Sequence, residues 1–453
     1  MKSPNTAASH PSAASTVSAW WTVVVLVLLA LYTIADRPLI SLQVEPLRKD
    51  LGLSDFQVGL IQGVGAALVT AIAAYPIAWL ADRFDRRIVL AASIAMWSLS
   101  LALASLARSF EELFIASALI SIGEAGLVPI SIAMIPELFR GTQRHLANSV
   151  LLLGGRLGLG LIIALCGWLV LAVDTWRGLL PPPLLEWQTW RLALLALALP
   201  GVVLVPLILT LPKAAQVSAY RPGHSMGPAP RPAVWPFLGR HKTAFGSFYL
   251  GVSLTSLGLG CFFTFAPVVA MRQMGATPLQ AGNAMGATTF IATVVGFVIA
   301  QVTYRYLTRR FGPAVPARLL VAAAVLGAVM AAAALWARTP TQLFICMGGL
   351  LTAVMAGTLM YPTLLQDLSP TPLRARLVSI SVTFNIVLAS LGPAMVGALS
   401  DHLKPRPDGL LLSMAGVALL AMGISAAALL PMAVRYTRTA ADARTEEQRL
   451  SRG

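Results

Sequence analysis

Charged side chains are scarce in this sequence. Asp, Glu, Lys and Arg together make up 11% of its 453 residues, against about 25% in soluble globular proteins. A chain this long with so little charge lacks the polar surface to face water, so lipid must be its main solvent. Cysteine is nearly absent as well. Cys166, Cys261 and Cys346 stand far apart, each inside an apolar stretch. That excludes a disulfide framework and any metal-ligand spacing, and leaves the three as small apolar packing residues. The five histidines all fall in loops or tails, and none lies beside a cysteine or an acidic cluster. No GxxxxGK[ST] loop and no soluble nucleotide domain is present, which argues against ATP-driven transport. No cofactor and no metal site is expected. Residues 1–18 are rich in Ser and Ala with a single Lys. They lack the charged start and the small-residue cleavage site of a signal peptide, and read as a disordered cytoplasmic tail.

Apolar residues fill the space that charge leaves, at 57% of the chain. About 20 apolar residues cross the hydrocarbon core of a bilayer, and twelve runs of that length can be read. The first six are 19–43, 55–80, 88–107, 113–135, 147–171 and 190–211. The second six are 243–270, 279–303, 315–336, 341–364, 375–399 and 408–434. Between the two sets lies 212–242, a linker with Pro222, Pro228, Pro230, Pro232 and Pro236. The outer loop 172–189, with Pro181, Pro182 and Pro183, reads as a stiff spacer. The expected fold is therefore an all-α membrane protein of twelve transmembrane helices in two six-helix halves. Its parts are a tail (1–18), a first half (19–211), a cytoplasmic linker (212–242), a second half (243–434) and a cytoplasmic tail (435–453). A chain built as two such halves is the mark of a secondary transporter.

Lys and Arg set the expected orientation. If the N-terminus is inside, 22 of the 33 fall in cytoplasmic segments and 8 in outer ones, the rest lying in or at the edge of spans. The positive-inside rule then places both termini and the linker in the cytoplasm, in a multi-pass protein of the inner (plasma) membrane. The same placement accounts for the net charge of +15 without nucleic acid.

The loop after the second span reads Leu80-Ala81-Asp82-Arg83-Phe84-Asp85-Arg86-Arg87. It resembles the signature loop of the major facilitator superfamily, with Ala78 and Asp85 where glycines are usual. Further stretches resemble the Spinster-like branch. They are Asp36-Arg37, Asp50 to Asp55, Ile122-Gly123-Glu124-Ala125-Gly126, Trp190-Arg191, Pro200-Gly201, Ser369-Pro370 to Arg374, Asn385, Gly392-Pro393, Gly397 and Ser400-Asp401. The matches run in order over nearly the whole chain. One departure stands out: the Spinster pattern places an Arg seven residues before the Glu of the Gly-Glu pair, and here that residue is Ser117. The resemblance implies a twelve-helix carrier. Spinster relatives move lysolipids and sphingoid phosphates, and neighbouring branches move organic carboxylates.

A charge inside a span costs at least about 2.5–3.5 kcal/mol on insertion scales, so it is kept mainly where it pairs or works. Four such residues lie away from the interfaces, all in the first half: Asp36, Arg37, Glu124 and Arg156. At about 1.5 Å per residue, Glu124 and Arg156 fall near the midplane, while Ser117 falls near the level of Asp36. Asp36 and Glu124 are the expected proton-coupling pair, and Glu124 is expected to interact with Arg156. The plain alternative is a static ion pair, Asp36 with Arg37 or Glu124 with Arg156, that only fixes helix packing; Arg156 could also reach the inner interface by snorkelling. Arg37, Ser117, Arg156 and Asn385 are the expected substrate-side residues, and Asp82, Arg83, Arg86 and Arg87 the expected cytoplasmic gate. Gly154, Gly155, Gly158 and Gly160 read as a close helix contact. The second-half spans supply Thr255, Ser256, Thr288, Thr289, Tyr361, Thr383 and Asn385, with Phe262, Phe263, Phe265, Met355, Met360 and Phe384, which suit a neutral or amphiphilic group, though most read as packing residues.

These features describe a secondary active transporter for a small organic or amphiphilic solute, lysolipid-like or carboxylate, coupled to protons and working by alternating access. The expected partners are that solute, protons and membrane lipids, and the chain is expected to act as a monomer. A membrane-embedded enzyme is disfavoured because no His or Ser–Lys constellation lies in the spans. A non-transporting sensor on the same fold remains the alternative; it would usually carry a signalling domain, and neither tail is long enough for one.

Overall fold

The computed structural model describes residues 16–139, 141–212, 234–312, 314–370 and 373–452. Among them are twelve helices long and apolar enough to cross a membrane: Val17–Leu42, Asp55–Ala81, Arg86–Leu106, Phe110–Ile135, Leu146–Thr175, Thr189–Leu209, Lys242–Arg272, Pro278–Phe311, Val315–Ala334, Pro340–Thr358, Arg376–His402 and Gly409–Thr445. They are numbered spans 1–12 below. The twelve match the runs read from hydropathy, because the apolar run and the hydrogen-bonded helix are both demanded by lipid, which offers the backbone no partner. The ends differ where helices outlast their apolar windows. The last helix runs on to Arg452, so what reads as a tail from 435 onward continues span 12 as helix. The linker ends in a short helix, Val234–Arg240, whose Val234 and Phe237 are buried against the second half. Residues 1–15 of the tail and 213–233 of the linker lie outside the described residues.

Three spans of the first half are broken, each near a proline. Span 1 stops at Thr33 and resumes at Asp36. Pro38 has no N–H to offer the carbonyl of Ile34, so the ladder cannot pass that point. Span 4 breaks at Gly126, three residues before Pro129, and the break follows Glu124 directly. Span 10 repeats this in the second half, breaking at Leu359–Met360 ahead of Pro362. Span 6 breaks at Leu199 ahead of Pro200. There the Tyr32 hydroxyl donates to the carbonyls of Leu197 and Ala198 and accepts from the Gly201 N–H. One side chain beside the break in span 1 thus satisfies the backbone groups freed in span 6.

The halves meet along spans 2 and 11 and along spans 5 and 8. Gly160 and Gly167 of span 5 lie backbone to backbone on Gly286 and Gly282 of span 8, where any side chain would collide. Gly154 and Gly158 face span 1 instead, against Val27 and Leu31, and Gly155 meets nothing within 4 Å. The glycine-rich stretch therefore serves two contacts on two faces, not one.

Candidate functional site

A cavity of about 460 Å³ lies between the halves. The first half contributes Arg37, Ser41, Gln62 and Glu124 to its wall, and the second contributes Ser256, Phe263, Thr264, Asn385 and Ser390. One wall is thus charged and the other neutral and part aromatic. The breaks described above set the charged wall, since Arg37 and Glu124 sit on the first turn after one and the last turn before another. Gln62 is placed by a π-helical turn, Ile61–Gly65, in span 2. Such turns widen a helix locally and recur at working sites. In the same turn Gly63 lies against the Ser390 carbonyl of span 11, an approach that a Cβ would block.

Arg37 reaches Glu124 at 3.4 Å and also donates to the carbonyl of Gln62. The two ionic side chains remain 42% and 27% exposed, so the pair is a loose one. Exposed ion pairs contribute only about 0–1 kcal/mol, which leaves this one easy to part. Asn385 donates to Ser256 at 2.9 Å, and both line the cavity. Phe262 and Phe265 are buried in helix packing, and Thr288 lies in a separate groove between spans 8 and 10.

The remaining site residues read from sequence fall in three places. Asp36 and Ser117 do not line the central cavity; they come together beside it, around a small pocket inside the first half. The agreement of their estimated depths is a real proximity. Arg156 is corrected: it is exposed and has no hydrogen bond or ion pair among the described residues, while the partner of Glu124 is Arg37. Equal depth did not bring them together because Arg156 lies one turn from Gly160, on the face of span 5 that turns toward span 8. Arg83 lies over the Trp79 ring at 4.0 Å, and Arg86 donates to the carbonyl of Ala133. Arg87 grips Asp85 and donates to the carbonyls of Leu209 and Leu211, all within the first half. The side chain of Asp82 lies outside the described residues.

Sequence reasoning missed a charge cluster that joins the halves at the end away from the termini. Arg272, closing span 7, donates to both carboxylate oxygens of Asp55, at 2.8 and 2.9 Å, and to Glu45 at 2.7 Å. Arg48 adds a hydrogen bond to Glu45. Ser400 donates to Asp55, and Asp401 accepts from the backbone N–H groups of Asp55 and Phe56, capping span 2. Burial alone would raise the Glu45 carboxyl. The hydrogen bonds and positive charge of Arg48 and Arg272 outweigh that and hold it below its ordinary value. Nearby, Asp50 accepts from Trp190 and from Arg191, tying the end of the first hairpin to span 6. The signal in sequence was the Ser54-Asp55-Phe56-Gln57 run, a capping box that fixes Asp55 at the mouth of span 2.

A two-half bundle of twelve spanning helices, with a polar cavity on the axis between halves and an ionic closure at one end, defines a membrane carrier. Comparison with known proteins makes this specific. Residues 13–393 match the Major Facilitator Superfamily, and the chain belongs to that superfamily. It is 28% identical over 395 residues to an MFS-type efflux pump of Mycolicibacterium smegmatis, covering 85% of each chain. It is 27% identical over 417 residues to protein spinster homolog 1 of Rattus norvegicus, covering 84% of this chain and 73% of that one. The crystal structure of a bacterial homolog of the human lysosomal transporter Spinster, inward-facing and unoccupied, shares the fold. Its TM-score is 0.76 at 22% identity, over 94% of this chain and 98% of that chain. The protein is accordingly a multi-pass membrane transporter and not an enzyme.

Proposed function

We propose that this protein is a secondary active transporter that moves a small organic or amphiphilic solute by alternating access, driven by protons. The observation that carries the reading is the cavity between the halves, with the loosely paired Arg37 and Glu124 on one wall and Asn385 and Ser256 on the other. A cation that is only weakly held can take an anionic head group from solution. The neutral wall with Phe263 suits the less polar remainder of such a solute, a lysolipid-like or carboxylate compound. The anion displaces Glu124 from Arg37, so substrate binding changes the charge balance at this acid. Substrate and proton occupancy are coupled in this way, with Asp36 as the second, more deeply buried acid.

The excess of Lys and Arg on the side of the termini supports a cytoplasmic placement for that side in the cell's inner membrane. The charge cluster of Arg272, Asp55 and Glu45 then closes the outer side, and this conformation is the one closed to the exterior. In the opposite conformation Asp82 with Arg83, Arg86 and Arg87 would close the cytoplasmic side. Arg156 faces the half–half interface and is available to an entering anion.

The test is reconstitution of the full chain in liposomes with an imposed pH gradient, using lysophospholipids and aromatic carboxylates as probes. Accumulation of at least one probe that collapses with the gradient supports the reading. In Glu124→Gln, accumulation should vanish while exchange of the probe across the membrane persists in part. Accumulation by Glu124→Gln equal to the wild type would remove Glu124 from the coupling site.

A further inference from the structure

A second cavity, of about 20 Å³, lies wholly inside the first half, next to the central one. Asp36, Gln62, Ser117 and Ser121 are among its walls, and Arg37 and Gln62 border both cavities. Asp36 is 5% exposed, and Gln62 and Ser117 are each 8% exposed. Each of these three walls carries a buried polar atom with no hydrogen-bond partner among the described residues: Asp36 Oδ1, Gln62 Nε2 and Ser117 Oγ. The other branch of the Gln62 amide accepts from Ser41, which fixes the orientation of the group. Ser121 is already spent on the carbonyl of Ser117.

The size and the chemistry of these walls select one occupant. A water needs about 10–15 Å³ of such volume and two to four polar partners. The partners here are one acceptor, one donor and one hydroxyl that can be either. That set matches a water, which can donate to Asp36, accept from Gln62 and pair with Ser117. A bare metal cation would meet the amide N–H and the Arg37 guanidinium, both of which repel it.

We propose that this cavity holds a single buried water, and that protons pass through it between Asp36 and the central cavity. The inference rests on proton coupling at Asp36 and adds the route that coupling requires. Asp36 does not border the central cavity, whereas Gln62 and Arg37 do. Hydronium in the central cavity hands a proton to the buried water across the gap between Arg37 and Gln62, in concert with the next transfer, so that no cation rests beside Arg37. The water releases one of its own protons to Asp36 Oδ1. One O–H bond forms as another breaks at each transfer, the carboxylate becomes a neutral acid, and the buried water is left unchanged. Release runs the same steps backward. The charges that bear on Asp36 are Arg37 and Glu124, and Cys166 of span 5 is the other titratable group beside it. Gln62 and Ser117 are positioning residues for the water; neither exchanges a proton with the substrate.

The experiment is infrared spectroscopy of the full chain in liposomes, with deuterium as the probe. A protonated carboxyl has an isolated C=O stretch that moves when its proton is replaced by deuterium. The Asp36 band is the one lost in Asp36→Asn. On transfer to D2O, the band in Ser117→Leu, whose side chain fills the cavity, should shift at least about tenfold more slowly than in wild type. Ser117→Ala keeps the space and should stay within about twofold of wild type, since two partners still hold the water. If Ser117→Leu does not fold, Ala66→Leu fills the same cavity from span 2 and should slow the shift as well. Exchange as fast as wild type in the variants that fold overturns the route. Equal slowing in Ser117→Ala and Ser117→Leu also overturns it, because the hydroxyl and not the space would then matter. Absence of any carboxyl band lost in Asp36→Asn, at every pH at which the protein transports, overturns proton coupling at Asp36 itself, and the route with it.

Discussion

Arg272, at the end of span 7, holds both carboxylate oxygens of Asp55, at the start of span 2, in a two-pronged grip across the half–half interface. Asp55 is 3% exposed in its side chain, whereas Arg37 and Glu124 at the cavity are 42% and 27% exposed. The contrast assigns the two pairs different work. Removing one partner of a buried pair costs about 3–5 kcal/mol, while an exposed pair is worth about 0–1 kcal/mol. The Arg272 pair can hold a conformation, and the cavity pair can be exchanged for a ligand within it.

Arg272→Gln should therefore release the closed end. A loss of about 3–5 kcal/mol corresponds to about two to almost four powers of ten in the balance of conformers. Spin labels at Lys49→Cys and Lys404→Cys, both on exposed outer side chains, report the separation by pulsed electron resonance once Cys346 is replaced. Wild type should give mainly the short distance and Arg272→Gln mainly a long one. An unchanged distance distribution in Arg272→Gln would show that the ionic cluster does not hold this end shut.

Acid should loosen the same end through Glu45. Its carboxyl is held below the ordinary value of 4.5 when the halves are closed, and parting from Arg272 returns it toward that value. The closed form thus binds fewer protons than the open one. The contribution of Glu45 is fully present above about pH 4.5 and is lost as pH falls through the lowered value. The label pair should show opening that begins only below that range and is smaller in Glu45→Gln. Opening that grows from pH 8 to pH 6 would place the sensing group elsewhere.

The sequence carried the bundle but not its closure. Twelve apolar runs were legible because lipid demands length and hydrophobicity together. Asp36 and Ser117 could be set at one level because helix runs unbroken to Thr33, three residues short of Asp36, and from Phe110 through Ser117. Asp55, Glu45 and Arg272 were passed over because charges at span ends are ordinary, and nothing local says that residues 217 positions apart meet. Gln62 was missed because a π-helical turn shifts which face a residue takes, and the regular helical period cannot register that. Arg37 was placed beside Glu124 only by the fold, since span 1 breaks at Asp36 and turns its next side chain toward span 4.

Orientation is open to a direct chemical test. A membrane-impermeant maleimide applied from outside should label Leu180→Cys and fail to label Met226→Cys. Leu180 lies in the loop between spans 5 and 6, opposite the side of the termini. On the proposed orientation the Lys- and Arg-bearing linker, to which Met226 belongs, is cytoplasmic. The reverse pattern would invert the protein and make the Arg272 cluster an inner closure.

Double-mutant cycles separate the two arginines that could answer to Glu124. Arg37 touches it at 3.4 Å, and Arg156 stands on a face of span 5 turned toward span 8. Residues in contact couple by about 0.5–3 kcal/mol, and distant ones add within about 0.5 kcal/mol. The half-exposed setting of the Arg37 pair puts its coupling at the low end of that range. Arg37→Gln with Glu124→Gln should accordingly show a resolvable coupling in binding of the carboxylate or lysolipid probe. Arg156→Gln with Glu124→Gln should be additive. Coupling between Arg156 and Glu124 larger than that of the Arg37 pair would mean that Arg156 swings to Glu124 in another conformer of the cycle, and that the ion pair at the cavity is exchanged between two arginines.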